Sequence, residues 1–195
     1  MLSLLLDSAN KELLVALYKD DKKIDEIRYE AWQRQSELMI PELDKILKRN
    51  EIDPKTIDEI VVTQGPGSYT GVRIALTIAK IYALSLNIPC YAISSLGVLK
   101  DENKTSICLI NARSNRSYFG VYEANGNVLI EDKVLPNKEV LDYVEEHKDF
   151  AICGDVTYLG LENQESDIAK NMMSLKNESN KVQNILTLKA VYLKD

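Results

Sequence analysis

The alternation of apolar and polar positions predicts a regular succession of strands and helices along the chain. Apolar residues alternate or run continuously in the predicted strands, and they recur every three or four residues in the predicted helices. In chain order the pattern predicts strand 2–6, strand 13–18, strand 24–29, helix 36–48, strand 57–63, helix 69–86, strand 89–93, a short helix from Ser94 to Leu99, strand 106–110, strand 118–122, strand 128–134, helix 137–147 and strand 150–153. The residues after 153 are mostly polar and carry only weak helical signals.

The second half of the chain repeats the opening pattern of the first half. The two three-stranded openings align without a gap at an offset of 104 residues, which places Asp7 on Asn111. A repeated unit of this kind is the plan of the actin-like and sugar-kinase-like (ASKHA) superfamily, in which two RNase H-like units follow each other. We therefore expect an α/β fold with an N-terminal RNase H-like subdomain at 1–103 and a shortened C-terminal one at 104–195.

The charge balance narrows the possible functions. The 195-residue chain has 24 Lys and Arg residues against 30 Asp and Glu residues, which gives a formal net charge of −6. Nucleic-acid binding depends on a surplus of positive charge, and neither half of the chain has one. Strong RNA binding by the chain alone is therefore not expected.

Histidine and cysteine usage disfavours several kinds of catalytic site. His147 is the only histidine, and it lies in a charged run near a predicted helix end, where an exposed side chain is expected. A zinc site with several histidines would need more than one histidine, and a Ser-His-Asp triad would need its histidine in a catalytic setting. Cys90, Cys108 and Cys153 lie far apart in apolar runs, as reduced and buried cysteines of a cytosolic protein do.

No targeting or membrane segment is evident in the sequence. The longest apolar runs stay well below the ~20 residues that a membrane-spanning helix needs. The opening run is interrupted at Asp7 and lacks a basic region before it, unlike a signal peptide. We therefore expect a cytoplasmic protein that does not contact the membrane.

A glycine-rich turn between a predicted strand and the longest helix is the clearest local motif. Its defining residues are Gly65, Pro66, Gly67, Ser68, Tyr69, Thr70, Gly71 and Arg73. Glycines before a helix N-terminus can cradle an anion. A Walker A loop would end in Gly-Lys-Ser/Thr, which is absent, and the spacing is one residue too long for a dinucleotide-binding loop. The remaining alternative is a tight strand-to-helix turn in which Gly71 lets the helix pack closely on the sheet.

Helix 69–86 is more apolar than a helix that covers one face of a sheet needs to be. Twelve of its eighteen residues are apolar, whereas an apolar stripe of about 100° is enough for one-sided packing. We therefore expect burial on two sides, with the second side against the neighbouring subdomain or against another protein chain.

The loops after the first strand of each half are where actin-like proteins place their phosphate chemistry. Asp7, Ser8 and Asn111 occupy these positions, but neither loop contains a glycine. The amide of Asn111 cannot act as a base or as an anionic metal ligand. We interpret the three residues as degenerate phosphate-loop positions, and the Asp7 and Asn111 side chains as acceptors for nearby turn amides.

Several segments resemble the bacterial TsaB (YeaZ) proteins. Residues 61–74, VVTQGPGSYTGVRI, resemble the family's GPGSFTGLRI stretch, and the opening LLLDSAN is similar to its LAIDTST. Further matches in the same order are Gln35–Pro41 with H-S-E-x-L-x-P, Ile93–Leu96 with VSSL, Ile110–Arg113 with IDAR, and Val191–Lys194 with P-x-YLR. Gln35 and Asn111 depart from the family's usual His and Asp, and residues 155–188 match poorly.

This resemblance implies a non-catalytic accessory subunit in the formation of threonylcarbamoyladenosine on tRNA. Such proteins activate a TsaD-like catalytic paralogue and work with a TsaE-like ATPase, so ATP and metal are expected on the partner and no cofactor or metal on this chain alone. tRNA is then expected to meet the chain only through the complex. Helices 36–49 and 69–86 are the expected partner surface, with Met39, Leu43, Leu47, Val72, Leu76, Ala79 and Ala83 as its contact residues.

Two alternatives remain open at the level of sequence. One is a small actin-like ATPase or phosphotransferase with Asp7 as the base. The other is a homodimeric protein whose apolar helix pairs with its own copy. A peptidase is not supported, because the sequence offers neither a metal cluster nor a histidine in a catalytic setting.

Overall fold

The computed structural model describes residues 1–193 and contains two mixed β-sheets flanked by helices. The strands and helices, in chain order, are β1 (Leu2–Asp7), β2 (Glu12–Lys19), β3 (Lys22–Glu30), α1 (Gln35–Arg49), β4 (Glu59–Thr63), α2 (Tyr69–Leu86), β5 (Cys90–Ile93), β6 (Ser106–Arg113), β7 (Arg116–Tyr122), β8 (Val128–Pro136), α3 (Asn137–Glu146), β9 (Ala151–Gly154) and α4 (Ile168–Leu175). The predicted α/β architecture is therefore confirmed. Lys194, the last residue of the terminal family match, lies outside the described residues.

The first sheet has the strand order β3-β2-β1-β4-β5. β1 pairs antiparallel with β2 and parallel with β4, so that Leu4 lies between Leu17 and Ile60. All six residues of β1 are buried, because helices cover one face of this sheet and the second half of the chain covers the other. A central strand buried on both faces reads as a continuous apolar run, which is why LSLLL was recognisable in the sequence.

The second sheet repeats this order as β8-β7-β6-β9. β6 takes the place of β1, and it pairs antiparallel with β7 and parallel with β9. Within residues 1–193, no strand continues the second sheet beyond β9, whereas β5 continues the first sheet beyond β4.

Two segments differ in their helical content from the sequence prediction. The segment from Ser94 to Leu99 forms only a single 3₁₀ turn at Gly97–Leu99. α4 lies where the sequence carries only weak helical signals, because its apolar residues lie inside a polar stretch. It is positioned by tertiary contacts: the buried Asn171 amide donates to the carbonyl oxygens of Val98 and Lys100, at 2.9 and 2.7 Å. These two hydrogen bonds from the buried Nδ2 group fix α4 against the 3₁₀ turn.

The C-terminal segment returns to the first half of the molecule. The Val182 amide donates to Cys90 O at 2.8 Å, and the Val191 amide donates to Gln64 O at 2.7 Å. The Leu188 side chain is buried in the core between the first sheet and its helices. Residues 182–193 therefore pack against the first sheet and its helices, although they come last in the chain.

Candidate functional site

The glycine-rich turn is shaped by close approach to the β1–β2 turn of the same chain. The Ser68 amide donates to Ala9 O at 2.7 Å, and the Ser68 hydroxyl caps α2 by accepting from the Gly71 amide. A Cβ atom on Gly67 would lie 2.2 Å from Ala9 O, and one on Gly71 would lie 1.9 Å from Ser8 O. Both distances are far inside van der Waals contact, so only glycine allows the two turns to meet.

Gly65 likewise allows another segment of the chain to approach the glycine-rich turn closely. Its φ is +106°, and a Cβ there would lie 2.5 Å from Val191 O in the C-terminal segment. The Gly65 amide also donates to the Ser95 hydroxyl at 3.0 Å. All three glycines are thus explained by contacts within the chain, as the alternative of a tight strand-to-helix turn at Gly71 requires.

The residues interpreted as degenerate phosphate-loop positions form hydrogen bonds with nearby groups of their own turns. Asp7 is buried and accepts hydrogen bonds from the Thr63 hydroxyl and, at 3.0 Å, from the Ala9 amide. Burial raises the pKa of the Asp7 carboxyl, and these two hydrogen bonds oppose the increase. Asn111 Oδ1 accepts from the Arg113 amide at 2.8 Å. The predicted role of Asp7 and Asn111 as acceptors for turn amides is therefore confirmed.

Ser8 is also part of this arrangement. It is fully buried, and its hydroxyl donates to Gly71 O at 2.8 Å. The hydroxyl therefore joins the β1–β2 turn to the first turn of α2. An exposed serine at a phosphate site would instead point into the cleft between the two halves.

That cleft has a volume of about 530 Å³ and is lined from both halves of the chain. Lys11 crosses it to Asp155, with Nζ 2.9 Å from Oδ1. The Arg113 guanidinium lies over the Trp32 ring, 5.5 Å from its centroid. Sequence reasoning missed Trp32, Lys11 and Asp155, since they are far apart in the chain and meet only in the folded protein. Their charges and rings interact with each other across the cleft.

His147 and the cysteines are placed as structural residues. The His147 ring stacks on Tyr143 with centroids 4.0 Å apart, and its Nδ1 lies 2.8 Å from Tyr143 O. It is therefore half-buried at the end of α3 rather than fully exposed as expected. The three cysteines are free and buried, and burial raises the pKa of Cys90 to about 12 and of Cys153 to about 11.

No cluster of three or more His, Cys, Asp or Glu side chains suited to a metal ion occurs within residues 1–193. In the same part of the chain, no helix is long and apolar enough to cross a membrane.

The seven residues predicted to contact a partner are buried inside this chain. They are Met39, Leu43, Leu47, Val72, Leu76, Ala79 and Ala83, and each is at most 5% exposed in the core that α1 and α2 form with the first sheet. The prediction that these side chains contact a partner is therefore wrong. A side chain that has no surface in the isolated chain cannot supply surface to an interface.

The outer faces of the same two helices form an exposed apolar groove instead. We call this the α1–α2 groove; its volume is about 480 Å³, and it is lined by Ser36, Ile40, Tyr69, Thr70, Arg73, Ile74, Thr77, Ile78 and Ile81. Ile40 is 54% exposed and Ile81 is 57% exposed. Several large apolar side chains exposed together are typical of a protein interaction site.

A usable signal for this groove was present in the sequence. Helix 69–86 has more apolar residues than its sheet-facing stripe can hold, and the surplus includes Ile74, Ile81 and Leu84. Sequence reasoning recognised the surplus but chose residues from the centre of the stripe, which is the part that packs on the sheet.

Comparisons with known proteins give the chain a family. A family model described as TsaD, tRNA N6-adenosine threonylcarbamoyltransferase, matches residues 29–190. The TsaB protein of Bacillus subtilis, named for tRNA threonylcarbamoyladenosine biosynthesis, is 35% identical over 145 residues, which are 72% of this chain and 62% of that protein. MG208, an uncharacterized protein of Mycoplasma genitalium, is 29% identical over 98% of this chain and 94% of its own length.

A solved structure agrees with this assignment at the level of the fold. YeaZ from Pseudomonas aeruginosa matches with a TM-score of 0.80 at 22% identity, over 98% of this chain and 99% of that one. The α/β fold with two mixed sheets is thereby confirmed, while the chain spans 62% of the length of its curated Bacillus relative. Because the family model covers most of the chain, the chain belongs to the TsaD family, and its relatives at 30–35% identity are named TsaB.

Proposed function

We propose that the chain is a non-catalytic accessory subunit that activates a TsaD-like protein in the formation of threonylcarbamoyladenosine on tRNA. The observation that carries this proposal is the exposed apolar α1–α2 groove. It lies on the outside of helices whose inner faces are fully used by the core of this chain. Its apolar side chains are thus available to a second protein.

The shape of the groove favours a helical partner. Ile40 lines it from α1, and Ile74 and Ile81 line it from α2. An amphipathic helix binds such a groove by placing its own apolar side chains between the two helices. Burying the exposed half of Ile40 or Ile81 contributes about 1 kcal/mol each before the cost of association is subtracted.

The internal contacts of the phosphate-loop residues support a role without catalysis. Asp7, Ser8 and Asn111 all bond to turns of their own chain. We therefore propose that ATP and metal are held by the TsaD-like partner, that a TsaE-like ATPase joins the same complex, and that the complex acts in the cytoplasm. We also propose that residues 104–195 are a shortened copy of the first subdomain, since the second sheet repeats its strand order up to the fourth strand.

Co-purification with the TsaD-like protein of the same organism tests this proposal. The wild-type chain should retain the partner, and Ile81→Asp should reduce retention at least tenfold, because a buried carboxylate costs more than 1.4 kcal/mol at an interface. Leu129→Asp is the matched control, as Leu129 on β8 is similarly exposed at 52% but lies away from the groove.

Two results would contradict the proposal. One is that the wild-type chain fails to retain the partner under conditions in which both proteins are folded. The other is that Leu129→Asp reduces retention as much as Ile81→Asp does. In the absence of the partner, we expect a second copy of the chain to occupy the groove, so sedimentation should show a dimer that Ile81→Asp dissociates and that the partner displaces.

A further inference from the structure

A second groove adjoins the first along α2, where Tyr69, Arg73 and Thr77 line both, and it lies between this helix and the C-terminal segment. We call it the basic groove; its volume is about 400 Å³, and it is lined by Tyr69, Arg73, Leu76, Thr77, Lys80, Leu188, Lys189, Ala190 and Tyr192. Three of these side chains are cationic. No Asp or Glu belongs to the groove lining in the described part of the chain.

The three cations of the basic groove are Arg73, Lys80 and Lys189. Arg73, Lys80 and Lys189 take part in none of the ion pairs formed within residues 1–193. Other charged side chains of this acidic chain do form ion pairs, as Lys11 does with Asp155. Three neighbouring unpaired cations attract a ligand that carries several negative charges.

Two exposed tyrosine rings adjoin these cations. Tyr69 and Tyr192 stack with their centroids 5.2 Å apart and their planes inclined by 25°. They are 60% and 43% exposed, and the Arg73 guanidinium lies 5.0 Å from the centre of the Tyr69 ring. Flat aromatic surfaces beside a row of cations are the combination with which proteins bind single-stranded nucleic acid, since bases stack and phosphates pair with the cations.

We propose that the basic groove binds single-stranded RNA, with Lys80 and Lys189 contacting phosphates and the Tyr69–Tyr192 pair stacking against an unpaired base. An acidic peptide would use the lysines but would leave the tyrosine surface without a ligand, so the observations favour RNA. The proposed function makes the loop of a tRNA the natural source of this RNA. The inference revises the expectation that tRNA meets this chain only through its partner.

The net charge of −6 limits the affinity of the basic groove for RNA. Repulsion between the rest of the chain and the RNA backbone keeps the affinity of the isolated chain low, on the order of micromolar or weaker. The groove therefore adds orientation and a few contacts to RNA that the complex holds.

Fluorescence anisotropy with a labelled RNA hairpin that has an unpaired loop tests the proposal on the isolated full chain. We expect saturable binding at low salt, and an association constant that the double variant Lys80→Glu/Lys189→Glu lowers about tenfold or more. In a salt series the slope of the double-logarithmic plot should fall by about 0.7 for each lost phosphate contact. Lys55→Glu/Lys138→Glu is the control with the same charge change, since both lysines are exposed and lie outside the groove.

Tyr192→Leu separates base stacking from charge. It should weaken binding of the looped hairpin about tenfold and leave binding of a fully paired RNA duplex unchanged, because paired bases do not offer a free face. The proposal is overturned if the two double variants weaken binding equally, or if Lys80→Glu/Lys189→Glu binds like wild type. It is also overturned if a polyglutamate peptide competes as well as RNA, which would make the groove a site for an acidic protein.

The inference rests on the proposed function for the source of the RNA, and Tyr69, Arg73 and Thr77 line both grooves, but variants outside the shared residues distinguish the two proposals. Ile81→Asp lies outside the basic groove and should retain RNA binding while it loses the TsaD-like partner. Retained RNA binding without any partner binding would count against the accessory role alone. Partner binding without RNA binding would count against the basic groove alone.

Discussion

The inner and outer faces of α2 are both rich in large or apolar side chains, yet they have opposite roles. On the inner face, Val72, Ala75 and Ala79 have no exposed surface and pack against α1 and the first sheet. On the outer face, Ile81 and Leu84 are more than half exposed. A helix can have more apolar residues than its core-facing stripe holds. The difference between the two faces teaches that the residues outside this stripe, not those within it, indicate the interaction site.

The largest expected effect comes from placing a charge on the inner face. Ala79→Arg should destabilise the protein by about 3–5 kcal/mol, since it buries an unpaired cation in a packed core. Leu84→Arg, one turn further on the outer face, should change the free energy of unfolding by less than about 0.5 kcal/mol. Urea denaturation followed by circular dichroism measures both. A stable Ala79→Arg variant would show that this face is not core.

Gly71→Ala tests the contact between α2 and the β1–β2 turn. Alanine is a better helix former than glycine by about 1 kcal/mol, which favours the variant. Its Cβ would lie 1.9 Å from Ser8 O, however, and relieving a clash with backbone costs about 1–3 kcal/mol or more. We expect the clash to dominate, so that the variant is destabilised by about 2 kcal/mol in the same denaturation experiment.

Gly160→Ala is the control for the change of residue type. Within residues 1–193, no atom beyond the glycine and its two chain neighbours lies within 4 Å of the added Cβ, although φ is +73°. Only the backbone strain of about 1 kcal/mol remains. Equal destabilisation by the two variants would mean that the approach of Ser8 to Gly71 is not what requires glycine in the motif.

The sequence predicted the fold better than it predicted the site, for a physical reason. Strand and helix patterns are local, so the run Leu2–Leu6 and the helix Tyr69–Leu86 could be recognised without knowing what they contact. Which residues face outward depends on where α1 and the C-terminal segment pack. The basic groove joins Lys80 to Lys189, more than a hundred positions apart, and no local pattern connects them.

α4 illustrates the same limit within the fold. Its eight residues have little intrinsic signal, and it is fixed by the Asn171 side chain and by the buried Ile168 and Met172. Tertiary contacts of this kind can stabilise a helix that its sequence alone would not.

The smallest expected effect concerns Asp7, which occupies a phosphate-loop position and lines neither of the two surface grooves. Burial holds the pKa of the Asp7 carboxyl in the folded protein above its ordinary value of 3.8. The folded state therefore binds this proton more tightly than the unfolded state does. The stability that Asp7 contributes is present below pH 3.8 and is lost as pH rises through the folded-state pKa.

Asp7→Asn should remove this loss of stability at rising pH, because an amide stays neutral and its oxygen can still accept from the Thr63 hydroxyl and the Ala9 amide. The variant should thus unfold at a higher urea concentration than wild type at pH 7, with a difference that shrinks as pH falls. Asp7→Ala, which loses both hydrogen bonds, should be less stable than wild type throughout. A phosphotransferase with Asp7 as its base needs the ionised carboxylate, so under that alternative Asp7→Asn would abolish tRNA modification by the reconstituted complex. Under the accessory role the Asn variant keeps modification at the wild-type level, since neither groove contains Asp7.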